Sequence, residues 1–270
     1  MRFQLYYETD SFLHRVNPLT KLGFTMLMMV LLTLIVDPLT PLAVAALGVT
    51  ALWIVGGVPL AQTLRTLRPF VFVSFGLFWT TALFYATPAP PIAGWGPLNL
   101  TADGVAYGAA IMFRILAIFV VSLLFTLTTD PTAFLQALVQ QARVSPRFGY
   151  GIIAAYRFVP LFDGQLASIQ AAHRIRGVSS RGGLVAQYKR LVGHMVPLLA
   201  GGIRHAERVA LAMDARGFGA VDKRTYFRRS VFGWRDTAFA LGATLVLAAL
   251  LLGFHFTGWL GEPIPPFLHL

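Results

Sequence analysis

Apolar residues along the chain gather into five long runs, 22–36, 41–58, 70–87, 105–128 and 237–260, with charged residues almost confined to the links between them. The runs at 105–128 and 237–260 are long enough to cross about 30 Å of hydrocarbon at about 1.5 Å per residue. The first run is short, and Asp37-Pro38-Leu39-Thr40-Pro41 reads as a tight turn, so the first two runs predict a helical hairpin. The third is rich in aromatics (Phe70, Phe72, Phe75, Phe78, Trp79, Phe84, Tyr85), which suit a lipid-facing or partner-facing surface or plain helix packing, with packing the preferred reading. After it, 86–103 is dense in Pro and Gly and carries no Lys or Arg, the mark of an external link with Trp95 at the interface. Gly104 and Gly108 have the spacing of close helix approach, a pattern that Ala-rich helices also produce by chance.

The interval 129–235 has a different pattern. Thr129-Asp130-Pro131 supplies a helix cap and a first turn, and Phe134, Leu135, Leu138 and Val139 follow with helical spacing. Ser145-Pro146 ends that helix and starts the next. Two longer stretches then resemble each other: each runs Val-Pro-Leu (at Pro160 and at Pro197), then a helix, then Arg-Gly (Arg176-Gly177 and Arg216-Gly217). They differ in length by about one turn and make a pair of analogous helices rather than a strict repeat. The pattern predicts an all-α polytopic membrane protein with about five transmembrane helices. It also predicts a domain of long amphipathic helices between spans 4 and 5. The divisions are 1–128 for the first four spans, 129–235 for the cytoplasmic helices, and 236–270 for the last span and an external C-terminus.

Charge supplies the orientation. Of the 22 Lys and Arg, all but Arg114 fall in alternate links: Arg2, Arg15 and Lys21 before the first run, Arg65 and Arg68 after the second, and the rest within 143–235. The opposite side carries only acidic residues near its boundaries, Asp37, Asp103 and Glu262. Positive-inside asymmetry of this kind predicts a cytoplasmic N-terminus and an external C-terminus. The composition agrees, with 56% hydrophobic and 12% charged residues. The net charge of +11 is assigned to anionic lipid and an acidic partner surface, not to nucleic acid, because no nucleic-acid-binding signature accompanies it. Glu8, Asp10, Arg15 and Lys21 precede the first run, so it reads as an uncleaved insertion signal. Arg114, inside the fourth run, reads as an Arg buried against neighbouring helices, bonded to carbonyls or snorkelling.

Candidate chemistry is sparse. With no Cys, thiolate metal sites and Cys nucleophiles are excluded. The six His have no metal-ligand spacing, and Asp163, Glu207, Asp214 and Asp222 are scattered and read as caps or partners of nearby Arg. No catalytic residue and no metal site is assigned. The chain has no Gly-Lys dipeptide, hence no Walker A loop for ATP. Polar pore-lining stripes, which a channel needs, are also missing. What remains is the pair of Arg-Gly ends. Gly177 and Gly217 suit left-handed caps, and Arg complements the negative end of a helix. Singly, such an end is a cap. Doubled, on two basic amphipathic helices, Arg176 and Arg216 present planar forks able to pair with carboxylates in two similar acidic grooves.

These residues resemble the transmembrane T component (EcfT) of energy-coupling factor transporters. His14-Arg15-Val16-Asn17-Pro18-Leu19-Thr20-Lys21 is similar to that family's Asp-Pro-Arg-Thr-Lys opening, with Asn17 and Leu19 departing from it. Ala212-Met213-Asp214-Ala215-Arg216-Gly217-Phe218 resembles its second coupling motif closely, and Arg176-Gly177 its first, with Ile175 in place of Ala. The resemblance implies a scaffold without catalytic activity, holding two ABC ATPases, identical or distinct, that bind ATP and Mg, and one substrate-binding S component in the membrane. Family members serve vitamins, or cobalt and nickel ions. Arg176, Gly177, Ala215, Arg216 and Gly217 would contact the ATPases. Leu166, Ile169 and Gln170 on the first helix and Val209, Ala210 and Met213 on the second would form the face that meets the S component or packs the two helices, with Pro160 and Pro197 structural. The alternative is the permease of a conventional ABC importer, whose Glu-Ala-Ala signature is not matched by Glu207-Arg208-Val209-Ala210.

Overall fold

Why apolar runs become spans is legible at their ends. The computed structural model describes residues 7, 9–35, 37–85, 90, 92–95, 98–177, 183–219, 225–227 and 229–256. A one-turn helix α1 (Phe12–Arg15) leads into α2 (Pro18–Leu34), α3 (Leu39–Ile54) and α4 (Leu60–Phe84). A short antiparallel pair, β1 (Ala93–Trp95) with β2 (Leu98–Leu100), precedes α5 (Ala102–Thr128). Then come α6 (Pro131–Gln140), α7 (Pro146–Ile175), α8 (Leu184–Ala215) and α9 (Trp234–Phe256). Caps explain the boundaries. The Asn17 side chain accepts from the Leu19 amide at 2.9 Å, with Pro18 in the first turn of α2. Thr101 accepts from the Gly104 amide at 3.1 Å, and Asp130 from the amides of Thr132 and Ala133 at 3.0 and 3.2 Å.

The chain divides into two compact units, 1–134 with 230–270, and 135–229. In the first unit α5 is central, with α2, α3 and α4 laid against it. Leu52, Val58, Leu67, Val120 and Leu127 form one buried cluster, and Met28, Leu32, Val44, Ala117 and Val121 another. The Gly104–Gly108 spacing works as a contact: a Cβ at Gly104 would meet the Ala82 carbonyl oxygen at 2.7 Å, and one at Gly108 that of Phe78 at 2.9 Å. Only glycine lets the α4 and α5 backbones come this close. Three helices, Leu60–Phe84, Ala102–Thr128 and Trp234–Phe254, are long and apolar enough to cross a bilayer, and Pro18–Leu34 and Leu39–Ile54 are shorter apolar helices. These are the five predicted spans of a polytopic membrane protein.

Three expectations change. Helix α4 begins at Leu60, so Arg65 and Arg68 lie on its exposed first turns rather than in a loop, and Pro69 is inside it. Four of its aromatics do not pack inward, since Phe72, Phe75, Trp79 and Phe84 are exposed, whereas Phe70 stacks on Phe119 against the core as expected. The reason is that the α4 backbone approaches α5 closely, at Ala82 against Gly104 and at Phe78 and Ala82 against Gly108, which leaves those four rings on the outward face. The link after α4 contains the β1–β2 hairpin. Arg2, Glu8, Asp222, Lys223, parts of the link 86–97 and residues 257–270, which include the end of the last predicted run, Glu262 and the external C-terminus expected after it, lie outside the described residues.

Candidate functional site

The second unit is dominated by α7 and α8. Both prolines sit in helix interiors, Pro160 midway along α7 and Pro197 midway along α8, and not at helix starts as the repeated Val-Pro-Leu suggested. One missing N–H bond does not end a helix whose apolar positions continue in phase on both sides. The two helices pair antiparallel. Tyr150 of α7 meets Phe218 beyond the end of α8 at 5.6 Å between ring centroids, Phe158 meets His205 at 4.4 Å, and His173 meets His194 at 5.0 Å. The two Arg-Gly ends therefore stand at opposite ends of the pair. With Phe218 beside Tyr150, the two ends are separated along the pair by about 39 Å, the rise from Tyr150 to Arg176.

Each end is a left-handed glycine stop. At the second, Gly217 has φ 72, its amide donates to the Asp214 carbonyl at 2.9 Å, and the Phe218 amide donates to that of Met213 at 3.0 Å. Those two bonds are the Schellman closure, and they satisfy carbonyls that the helix end would otherwise leave open. At the first, Gly177 has φ 75 and its amide donates to the Arg174 carbonyl at 3.1 Å. Arg176 and Arg216 are the C-cap residues, directly after Ile175 and Ala215. Both are exposed, and neither side chain has a hydrogen bond or ion pair among the described residues. The second end is braced from the side by Phe218 on Tyr150 and by Arg147, whose guanidinium lies over Gly219.

The predicted packing face divides. Val209, Ala210 and Met213 line a cleft of about 580 Å³ between the two helices, together with Gly151, Ala154, Ala155 and Phe158 of α7. Leu166, Ile169 and Gln170 do not line it: Leu166 and Ile169 are half-buried elsewhere on α7, and Gln170 is exposed. Antiparallel pairing is the cause, since it sets the C-terminal half of α8 against the N-terminal half of α7. The α7 residues that sequence reasoning missed did carry a signal. Positions 147, 151, 154, 155 and 158 form one helical stripe of mostly small residues.

A second polar cluster gathers in the transmembrane unit, around the His14–Lys21 segment. Lys21 is buried, and its Nζ donates to the Thr128 carbonyl at the C-terminus of α5 at 2.8 Å, where a cation complements unpaired helix carbonyls. Asp236, also buried, accepts from the amide of Asn17 at 2.6 Å and from that of Gly233 at 2.7 Å. His14 Nδ1 accepts from Ser11 Oγ at 2.7 Å, and Nε2 donates to the Tyr7 carbonyl at 2.8 Å. Burial lowers the His14 pKa below its usual 6.5. On the surface beside it, Arg15 and Asp10 form an ion pair at 2.6 Å that holds the Asp10 carboxyl below its ordinary range. Arg114 donates to the Ile35 carbonyl just past the end of α2, the carbonyl-bonded role expected of it.

The family of cobalt transport proteins known as CbiQ matches residues 9–227, a stretch that takes in both the His14–Lys21 segment and the two Arg-Gly ends. The chain belongs to the CbiQ/EcfT family. Similar proteins include the energy-coupling factor transporter transmembrane protein EcfT of Heliobacterium modesticaldum, 30% identical over 92% of this chain and 95% of the relative. The EcfT of Limosilactobacillus fermentum is also 30% identical, with the same coverage of each chain. A putative ABC transporter ATP-binding protein of Bifidobacterium longum is 29% identical over 89% of this chain, a match that covers 32% of that longer protein. As a CbiQ/EcfT protein, this chain is an energy-coupling transmembrane component of a transporter. The match ends at Phe227, so α9, including the Asp236 that fastens the His14–Lys21 segment, lies beyond it.

Proposed function

We propose that this CbiQ/EcfT chain transmits ATP-driven motion from two ABC ATPases in the cytoplasm to one substrate-binding S component in the membrane, in a micronutrient uptake transporter. The observation that carries this is the pair of unpartnered guanidiniums, Arg176 and Arg216, held by left-handed glycine stops at opposite ends of one antiparallel helix pair. Each fork can take a carboxylate in two parallel hydrogen bonds. The separation along the pair suits two subunits, one at each end. ATP and Mg belong to those partners in this reading, and so does hydrolysis. A relative that carries the name of an ABC transporter ATP-binding protein, only 32% of which is matched, supports ABC ATPases as the partner class. The distribution of Lys and Arg supports a cytoplasmic N-terminus and coupling domain in a bacterial cytoplasmic membrane, with the C-terminus external. The exposed apolar residues of α8, among them Tyr188, Leu191, Met195, Leu199 and Ile203, offer a surface for the S component.

Co-purification of the tagged chain from its native membrane tests the assignment. Wild type is expected to bring down two ATPase subunits and a small membrane protein, and Arg176→Glu with Arg216→Glu to lose the ATPases. ATPases that stay bound after both charge reversals would reduce the two ends to helix caps and remove the mechanism.

A further inference from the structure

A cleft of about 450 Å³ opens in the transmembrane unit where α9 meets α2, α3 and α5. Its walls are apolar, with Phe24 and Val44 on one side and Phe239, Gly242 and Val246 on the other. On α9 the lining positions 238, 239, 242 and 246 form a single helical stripe, and Arg235 stands one turn earlier on the same stripe. The carboxylates at this end are already engaged: Asp10 by Arg15, and Asp236 by the amides of Asn17 and Gly233. Arg235 lies over its neighbour Trp234, 5.8 Å from the ring centroid, and has no carboxylate bonded to it among the described residues. A tryptophan and a cation at the head of an apolar stripe mark the level of the lipid headgroups.

We propose that this cleft holds one acyl chain of an anionic phospholipid, with the lipid phosphate against Arg235. Size selects the chain over a protein helix. The volume falls within the range of small-molecule sites, about 300–1,000 Å³. A spanning helix about 10 Å wide and about 30 Å long fills roughly 2,400 Å³. Charge selects the headgroup, because the apolar walls gain nothing from one lipid tail over another, whereas a guanidinium with no hydrogen-bonded carboxylate, only the more distant charge of Asp10 near it, attracts an anionic headgroup over a neutral one.

The test is native mass spectrometry of the purified full-length chain, with phosphatidylglycerol and phosphatidylcholine of equal chain length offered together. Wild type is expected to retain one phosphatidylglycerol in preference to phosphatidylcholine. Arg235→Gln should lower that preference about fivefold, the worth of one cation at an anionic surface. Gly242→Phe points into open space, since a Cβ there meets no atom within 4 Å, and it should expel both lipids. Leu241→Phe, on an exposed side of α9, should leave retention as in wild type. Equal retention of the two lipids by wild type would overturn the proposal. So would an unchanged preference in Arg235→Gln, or full retention in Gly242→Phe. The assay needs neither ATPases nor an S component, so a negative result here leaves the coupling proposal standing.

Discussion

The backbone amide of Asn17 donates to Oδ1 of Asp236 at 2.6 Å, fastening the start of α2 to the first turn of α9 across 219 residues of sequence. The other carboxylate oxygen of Asp236 accepts from Gly233, and Lys21, one turn further along α2, donates to the end of α5. Three spans thus converge at one end through the hydrogen bonds of two buried side chains, Asp236 and Lys21.

Removing the Asp236 carboxylate should therefore be costly. Asp236→Ala leaves the buried Asn17 amide without its acceptor, at about 1–3 kcal/mol for a buried orphan, and opens the bond to the exposed Gly233 amide. The expected outcome is a clear fall in the melting temperature of the detergent-solubilised chain. Asp10→Ala, which opens the exposed pair with Arg15, should shift it little. A melting temperature for Asp236→Ala within error of wild type would contradict the fastening role.

Acid should loosen the same region through His14. Its folded pKa lies below the 6.5 of the free side chain, chiefly through burial, with Lys21 adding to the lowering and Asp10 opposing it. The unfolded chain then binds the proton more readily than the folded one. Stability from this group is present above about pH 6.5 and is lost as pH falls from there through the folded value. Melting curves should be level near neutrality and drop on acidification, before the carboxylates titrate. In His14→Gln that portion of the drop should disappear.

Close approach of α4 and α5 gives a third expectation. In Gly108→Ala the new Cβ would sit 2.9 Å from the Phe78 carbonyl oxygen, so the helices must part and the melting temperature should fall. Gly76→Ala, on α4 with nothing within 4 Å of the added carbon, should be neutral or stabilising by up to about 1 kcal/mol through helix propensity. Equal effects at the two positions would dismiss the packing account.

A substitution at the second glycine stop separates tip geometry from tip charge. Gly217→Ala forces a Cβ into the left-handed region at φ 72, costing about 1–2 kcal/mol. It should reduce ATPase co-purification with Arg216 intact, and leave the melting of the transmembrane unit unchanged. Gly217→Asn should be milder, since Asn tolerates that conformation better than other side chains.

Local signals were readable in the sequence wherever local physics decides. The five runs, the Asp130 and Ser145-Pro146 starts, and the glycine stops at 177 and 217 all depend on neighbours a few residues away. What stayed hidden depends on partners far along the chain. The aromatic face of α4 could be assigned outward only once Gly104 and Gly108 had claimed its other side. The pairing of 209–213 with 151–158 instead of 166–170 follows from antiparallel register, which helical periodicity alone does not carry. Lys21 reads as one of several flanking cations until Thr128 is seen to be its acceptor.

Pro160 and Pro197 each sit near the midpoint of a long helix whose far end carries an exposed arginine. A proline withholds one rung of the helical ladder and crowds the turn before it, so bending stiffness is lowest at mid-length and highest toward the tips. Opposed pushes on the two tips of an antiparallel pair form a turning couple. Under the proposed coupling, beams built this way would swivel and flex about their centre, with both ends kept rigid where the ATPases would push.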